Sequence, residues 1–190
     1  MLTILNRLKG IYKGRKLSKL LLKLKAFGAL NEINVDIQIV HPERVALGSY
    51  VYIGPGAQIN GQGGVEIKSG TIIGPKLTIY SANHRFRDAE YIPYDQIYDF
   101  RRVVINENVW IGSNVIIAPG TEIGEGSVIG AGSVVSGKIP PLSIAVGNPC
   151  KVIKTRDEEH YYKLKREEKI YLKYKKEGLI ALNLTLGYEE

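Results

Sequence analysis

The sequence predicts an all-β solenoid, in which short parallel strands stack in successive coils. The first observation is a six-residue repeat, because aliphatic residues recur at positions 105, 111, 117, 123, 129 and 135. The second is a small or aliphatic residue at the fifth position of most units. Two inward residues per six fit short strands and turns, whereas the 3.6-residue period of a helix fits nowhere in this region. Three such units close a triangular coil of about eighteen residues, with neighbouring strands ~4.8 Å apart.

Glycine, proline and asparagine occupy the predicted turns of this repeat. The stretch Ile117–Gly120 reads "IAPG", and tight corners favour these residue types. An earlier block places aliphatic residues at the first position of each unit, with His41 as the exception, and a two-residue slip near residue 62 resets the frame. Fourteen units predict nearly five coils over residues 35–154. The first positions of the earlier block are Val35, His41, Leu47, Ile53 and Ile59, followed after the slip by Ile67, Ile73 and Ile79.

Length and charge limit the classes of protein that fit this chain. It has 190 residues and a formal net charge of +7, and this length suits one domain. Residues 1–31 hold eight lysines and arginines and no acidic residue, so the excess charge belongs to that segment. A nucleic-acid-binding face on the main body is disfavoured because phosphate binding needs clustered cations. No apolar run is long enough for a membrane span, and a lone cysteine, Cys150, fits a reducing cytoplasm.

The two ends predict helical segments outside the solenoid. Residues 1–34 form a basic, leucine-rich segment that we expect to be a helical cap over the open end of the solenoid. A second interpretation is peripheral contact of residues 1–30 with an anionic membrane surface. Residues 155–190 predict a charged helix, beginning with a capping box of Thr155 and Glu158, and a tail with a final strand.

The repeat breaks after Ile79, and a loop over residues 85–104 fits no hexad. Insertions in solenoids usually gather on one face and carry binding function. The loop is rich in aromatic residues, which suit a sugar or pantetheine surface or packing on a neighbouring subunit. These aromatic residues are Phe86, Tyr91, Tyr94, Tyr98 and Phe100.

Three histidines are candidates for a catalytic base. His41 stands at an inward position of the repeat, which predicts a core or capping residue, and His160 lies in a charged surface helix. His84 stands beside the inserted loop. Its imidazole titrates near neutral pH and suits general base catalysis. We expect no covalent intermediate on Cys150, because no histidine is near it in the sequence.

Two stretches, "NVWIGSNVIIAPGTEIGEGSVIGAGSVV" and "IPPLSIAVGNPCKVIK", resemble the hexapeptide-repeat acyltransferases, and most of all their maltose, galactoside and polysaccharide O-acetyltransferase branch. The resemblance implies a left-handed parallel β-helix and acetyl transfer from acetyl-CoA to a sugar hydroxyl. It also implies a cytoplasmic homotrimer with active sites between subunits and no metal. Residues 1–30 could hold it at the inner face of the membrane.

The resemblance also implies roles for individual residues. His84 matches the general base, and Asn83 and Asp88 are candidates for contact with the acceptor. Gly54 stands where the branch carries a sugar-binding asparagine, and Gly137 stands in place of a lysine that contacts CoA phosphate, with Lys138 a substitute. The positions that match CoA-binding residues are Trp110, Ser113, Ala131, Ser136, Lys151 and Lys154.

Two other functions stay open at this stage. The acceptor could be an amino sugar or an antibiotic hydroxyl, because the acceptor-binding positions of the branch match poorly. The solenoid could also be a scaffold without catalysis. Retention of His84 and Trp110 disfavours the scaffold.

Overall fold

The computed structural model describes residues 2–180, with side chains from residue 11 onward, and shows a parallel β-helix. A helix, α1 (Leu2–Leu21), precedes the coils, and α2 (Glu158–Arg166) and α3 (Tyr171–Lys176) follow them. The strands of the first three coils are β1 (Ala26–Phe27), β2 (Glu32–Ile33), β3 (Gln38–Val40), β4 (Val45–Leu47), β5 (Tyr52–Ile53), β6 (Gln58–Asn60), β7 (Val65–Ile67), β8 (Ile72–Ile73) and β9 (Thr78–Ile79). The remaining strands are β10 (Ala82–His84), β11 (Tyr98–Phe100), β12 (Val103–Ile105), β13 (Trp110–Ile111), β14 (Ile116–Ile117), β15 (Glu122–Ile123), β16 (Val128–Ile129), β17 (Val134–Val135), β18 (Lys138–Ile139), β19 (Ser143–Val146) and β20 (Lys151–Thr155).

Three sheets form the walls of the β-helix, and each coil gives one strand to each sheet until the last coil. Sheet A has the order β1-β4-β7-β12-β15-β18, sheet B has β2-β5-β8-β13-β16-β19-β20, and sheet C has β17-β14-β9-β6-β3. All neighbours in these sheets are parallel except β19 and β20. The predicted β-helix is confirmed, and its sheets show about six coils, one more than the count of hexads predicts.

The core consists of aliphatic residues stacked in columns. Ile53, Ile73 and Ile111 are partners in consecutive strands of sheet B, and all three are 0% exposed. The residue two positions before each of them also points inward, as the repeat predicts. Where that residue is polar, its hydroxyl bonds to the backbone in most coils; Thr121 Oγ1, for example, donates to the Ala118 carbonyl at 2.7 Å, whereas Ser143 Oγ has no partner among the described residues. The predicted alternation of inward residues is confirmed from Leu47 onward.

The first coil departs from the predicted register. Ile33 and Ile39 occupy the inward columns, whereas Val35 is 44% exposed and His41 is also exposed. The assignments of Val35 and His41 to inward positions were therefore wrong. His41 has φ 54° and precedes a 3₁₀ turn, Pro42–Arg44, which accommodates two extra residues in that coil.

The length of each coil varies at one corner of the triangle, between sheets C and A, which we call the CA corner. Inward residues are always six positions apart from sheet A to sheet B and from sheet B to sheet C, as in Leu47, Ile53 and Ile59. From sheet C to sheet A the spacing changes. It is eight from Ile39 to Leu47 and from Ile59 to Ile67, and 26 from Ile79 to Ile105. It then falls to six from Ile117 to Ile123 and to four from Val135 to Ile139.

The N-terminal segment covers the first coil. Leu17, Leu20 and Leu24 are partly buried against the core, which is the packing expected of a helical cap. The helix ends at Leu21, and the β-helix starts at Ala26 rather than at the predicted residue 35. No helix within residues 2–180 is both long and apolar enough to cross a bilayer.

The C-terminal segment differs from the predicted single helix. Thr155 ends β20, and the N-cap of α2 is Asp157, whose carboxylate accepts the backbone N–H of His160 at 2.8 Å. Residues 167–170 separate α2 from α3. The predicted final strand lies in residues 181–190, outside the described part of the chain.

This segment runs back along the β-helix from the last coil to the first. The Tyr161 hydroxyl donates to Glu125 at 2.9 Å and accepts from Asn108 at 3.2 Å. Burial, together with the nearby charge of Glu125, raises the pKa of Tyr161 above its ordinary range. Further along, Lys175 and Lys176 lie 3.3 and 3.2 Å from the Glu32 carboxylate in the first coil. The segment therefore ties coils that are distant in sequence.

Candidate active site

The insertion at the CA corner forms a hairpin arm. Strands β10 and β11 pair antiparallel, with His84 opposite Tyr98 and Asn83 opposite Asp99. Val103 and Val104 belong to β12 in the wall of the β-helix, so the arm is shorter at this end than the predicted loop of residues 85–104. Because side chains alternate along a strand, His84 and Tyr98 share one face of the hairpin and Asn83 and Asp99 share the other.

An ion pair between Arg85 and a buried carboxylate, Asp95, fixes the base of the arm. Asp95 is only 3% exposed, and its carboxylate accepts a hydrogen bond from Arg85 Nε at 2.8 Å, a second from the Arg85 guanidinium, and one from the Ile97 backbone N–H at 2.9 Å. Burial alone would raise the pKa of Asp95, but the hydrogen bonds and the charge of Arg85 together hold it below its ordinary value. Arg85 directly follows His84, so this pair also holds the histidine in place.

We expect the arm to lose its order when Asp95 is replaced by alanine, because the Arg85 guanidinium then loses its buried partner. Hydrogen exchange of backbone amides over residues 85–100 should speed up by roughly tenfold or more, since hydrogen bonds to charged groups are among the stronger ones. The β-helix amides should stay protected. A matched control is Glu90→Ala, which removes an exposed carboxylate from the same arm. Equal exchange rates in the two variants would contradict the role of Asp95 in ordering the arm.

The same pair predicts a pH dependence. The folded-state pKa of Asp95 is lowered, so the pair stabilises the arm at pH values above the ordinary aspartate pKa of about 3.9. This stabilisation is lost as the pH falls through the lower, folded-state pKa. Exchange in the arm, corrected for intrinsic rates, should therefore be constant from neutral pH to about pH 5 and rise below about pH 4. Asp95→Asn should remove this dependence.

His84 lies between two tyrosine rings. Its ring centroid is 3.9 Å from that of Tyr94, with an interplanar angle of 19°, and 4.2 Å from that of Tyr98. Its Nδ1 atom is buried and has no hydrogen-bond partner among the described residues. Nε2 is not one of the buried atoms that lack a partner. The arrangement fixes the plane of the imidazole and leaves Nε2 as the nitrogen available to exchange a proton with a ligand.

The two predicted acceptor residues do not line the same cleft. Asn83 lines a cleft of about 210 Å³ on the face opposite His84, together with Asp99 and the corner residues Ala118 and Pro119. Asp88 does not line this cleft. It is exposed, has φ 52°, and lies beyond the strand that carries His84.

The predicted CoA-binding residues lie in three places. Ser136 is at the CA corner, one coil above Ala118, because the Ala118 N–H donates to the Val135 carbonyl at 2.9 Å. Trp110 is 57% exposed on sheet B, in a groove beside α2 and α3, and Lys151 and Lys154 are exposed on β20. Ser113 and Ala131 lie on adjacent coils at the corner between sheets B and C, where the Ser113 carbonyl accepts from Gly132.

Sheet C separates these groups within the chain. His84 and Ser136 are at one edge of this sheet, and Ser113 and Ala131 are at the other. The structure therefore brings His84, Asn83 and Ser136 to one corner and does not bring Trp110, Ser113 or Ala131 to it.

Cys150 has the properties of a structural residue. Its thiol is partly buried, and this burial raises its pKa, against a smaller lowering by the Ser133 hydroxyl. A neutral thiol is a poor nucleophile. Over residues 2–180, no three histidine, cysteine or acidic side chains are grouped as metal ligands would be.

Sequence patterns missed two functional features of the arm. They did not identify the pairing of Arg85 with Asp95 or the position of Tyr94 against His84. Tyr94 and Tyr98 were noted only as part of an aromatic-rich loop. The distance of ten positions between Arg85 and Asp95 in an irregular loop carries no periodic signal.

Comparisons with known proteins agree with the fold. The family model "Bacterial transferase hexapeptide (six repeats)" matches residues 102–137. A maltose O-acetyltransferase from Clostridium difficile 630 is 34% identical, with a TM-score of 0.64 and 73% of each chain covered. A galactoside acetyltransferase in complex with coenzyme A is 28% identical, with a TM-score of 0.63, and the match covers 72% of this chain and 68% of that one. A hexapeptide-repeat acetyltransferase from Vibrio cholerae, complexed with acetyl coenzyme A, has a TM-score of 0.68 at 23% identity, covering 76% of this chain and 78% of that one.

The stacked coils and the histidine-bearing arm define a β-helical transferase built from hexapeptide repeats. The chain belongs to the bacterial transferase hexapeptide family. The predicted family and the predicted enzyme class, an acyltransferase, are thereby confirmed.

Proposed function

We propose that the protein transfers an acetyl group from acetyl-CoA to a hydroxyl group of a sugar, with His84 as the general base. The observation that carries this proposal is the fixed imidazole between Tyr94 and Tyr98, at the corner where the repeat is interrupted. The named activities of the galactoside and maltose acetyltransferases support the choice of a sugar hydroxyl.

The proposed reaction needs one proton carrier. Nε2 of His84 removes the proton of the acceptor hydroxyl as its oxygen attacks the thioester carbonyl of acetyl-CoA. The tetrahedral intermediate collapses, the C–S bond breaks, and the proton passes to the departing CoA thiolate. The products are an O-acetyl ester and CoA, and the imidazole returns to its neutral form.

We further propose that the complete site forms between copies of the chain in a homotrimer. Sheet C separates His84 from Ser113 and Ala131, so a second copy would have to supply the surface that holds the pantetheine arm of CoA. The arm exposes apolar side chains suited to such a contact, since Ile92 is 99% exposed and Tyr91 is 61% exposed. Buried against a neighbour, they would also enclose the reacting atoms.

The donor site and the biological setting complete the proposal. Trp110 lines the site, Ser113 and Ala131 contact pantetheine, and Ser136, Lys151 and Lys154 bind the rest of CoA. Both lysines are exposed and are suited to phosphate as point charges. Contact of Asn83 and Asp88 with the acceptor stays a prediction, because Asn83 lies on the face of the hairpin opposite His84. We propose that the enzyme acts in surface-polysaccharide synthesis in the cytoplasm. The basic N-terminal segment would bind it to the inner face of the membrane.

The proposal is tested by turnover with acetyl-CoA. Release of the CoA thiol is measured with free sugars, amino sugars and aminoglycoside antibiotics as acceptors, and the acetylated position is assigned by NMR. We expect acceptor-dependent CoA release and an O-acetyl product. An N-acetyl product would favour an amino sugar, and failure to bind CoA at millimolar concentration would leave the scaffold as the function.

A further inference from the structure

A second cleft lies on the face of the arm that carries His84. Its volume is about 420 Å³, and it is formed by the first coils of sheet A, the CA corner and the root of the arm. No predicted site residue lines it. Its lining includes Lys25, Glu43, Arg44, Gln62, Phe100 and Arg102.

A row of aromatic rings connects this cleft to the proposed base. The Tyr98 ring is 4.2 Å from His84, and the Phe100 ring is 6.3 Å from Tyr98 at an interplanar angle of 16°. The Arg44 guanidinium carbon is 5.9 Å from the Phe100 centroid. A ligand in the cleft can therefore extend along the aromatic row and present a hydroxyl group to His84.

The cleft lining carries more cations than carboxylates. Among the described residues, Lys25 and Arg44 have no carboxylate within 4 Å, and Arg44 donates only to the Gln62 carbonyl, at 2.6 Å. Arg102 is paired with Glu66. The one acidic residue in the lining, Glu43, is hydrogen-bonded to His41 at 3.2 Å, and the charge of Arg44 also contributes to lowering its pKa. Three cations against one carboxylate leave the lining with a net positive charge.

The basic N-terminal segment reinforces this charge. Residues 1–31 hold eight lysines and arginines and no acidic residue, and Lys25 is one of them. One of the others, Lys13, is paired with Asp36. A concentration of positive charge at one end attracts anionic ligands over a longer range than a single contact does.

We propose that the acceptor of this enzyme is a glycosyl phosphate, with its phosphate bound between Lys25 and Arg44. The proposal rests on the proposed acetyl transfer at His84 and adds the chemistry of the acceptor. Arginine and lysine bind phosphate as fork and point charge respectively, and aromatic rings pack against the apolar faces of sugars. The sugar lies along Tyr98 and Phe100, its phosphate is at the Arg44 end, and the hydroxyl to be acetylated is at the His84 end.

The test compares phosphorylated and free acceptors in two variants with equal charge. The first is the double variant Lys25→Gln/Arg44→Gln, and the control is Lys163→Gln/Arg166→Gln, which removes two exposed cations from α2. The acceptors are galactose, galactose 1-phosphate, UDP-galactose and a polyprenyl diphosphate-linked galactose in detergent micelles. CoA release gives kcat and KM, and calorimetry gives binding of the soluble phosphates in the absence of acetyl-CoA.

We expect the native protein to prefer at least one phosphorylated acceptor over galactose. The cleft variant should raise the KM or Kd for phosphorylated acceptors by about tenfold or more, with kcat within about twofold, since one charged hydrogen bond is worth roughly tenfold or more. The control variant should match the native protein. Preference for UDP-galactose or for the lipid-linked sugar identifies the source of the phosphate.

Two outcomes would overturn the acceptor proposal. One is equal use of galactose and its phosphorylated forms. The other is unchanged affinity of the cleft variant for the soluble phosphates in calorimetry. Failure of the proposed acetyl transfer can be told apart from failure of the acceptor proposal. The first appears as an absence of CoA binding and of transfer to every acceptor. The second is measured by phosphate binding in the absence of acetyl-CoA.

Discussion

Replacing His84 by alanine should lower kcat by roughly 10²- to 10⁴-fold, the usual contribution of a positioned general base. The physical reason is that no other described imidazole lies on the arm. His41 lies at the CA corner of the first coil, before the 3₁₀ turn, and His160 is on α2. The KM for acetyl-CoA should change little, because Ser136 is the one predicted CoA-binding residue that shares a corner with His84. Stopped assays of CoA release, with product detected by mass spectrometry, give both constants.

The matched control for this experiment is His160→Ala. It also removes one imidazole, but from an exposed helix position where only the backbone N–H makes a described contact. Both variants should keep the native circular dichroism spectrum and the same oligomeric state. Native turnover in the His84 variant would refute its role as the base, whatever the control shows.

The second large effect concerns the core. Ile117→Ala should lower the free energy of unfolding by about 2–5 kcal/mol, because a large aliphatic side chain is removed from a fully enclosed position. Ile117 is 0% exposed and is flanked by Ile79 and Val135 in the same column of sheet C. Each coil packs only on its neighbours, so a cavity in a middle coil weakens both of its interfaces.

The adjacent residue provides the control, since Ile116 is the same amino acid pointing outward and is 40% exposed. Ile116→Ala should change the free energy of unfolding by about 0.5 kcal/mol, as is usual for surface positions. Urea unfolding followed by circular dichroism measures both variants. Equal destabilisation by the two substitutions would mean that the inward and outward columns are not as described.

The regular part of the fold was predictable because periodicity reports a local constraint. From residue 105 to residue 135 every spacing is six, so the hexads in the sequence and the strands coincide. In the first coil the CA corner holds two extra residues, and the hexad count then shifted Val35 and His41 into columns that belong to Ile33 and Ile39. A repeat search that assumes constant spacing cannot correct for a corner that changes length.

The candidate site was predictable in part. The break in the repeat identified His84, because an interruption is itself a signal. The ion pair of Arg85 with the buried Asp95 and the cationic cleft at Arg44 depend on contacts between residues that no spacing links. Lys25 and Phe100 are 75 positions apart in the sequence and line the same cleft only because β1 and the root of the arm lie near one corner.

Because length changes are confined to the CA corner, insertions and deletions there are independent of the packing of the core. Substitutions that preserve the inward columns are constrained by packing, whereas additions and deletions at this corner leave those columns untouched. Natural variants of this architecture could therefore acquire new acceptors by exchanging the segment inserted at the CA corner. For protein engineering, the residues between Ile79 and Ile105 form a replaceable module, and the flanking isoleucines define where a graft should begin and end.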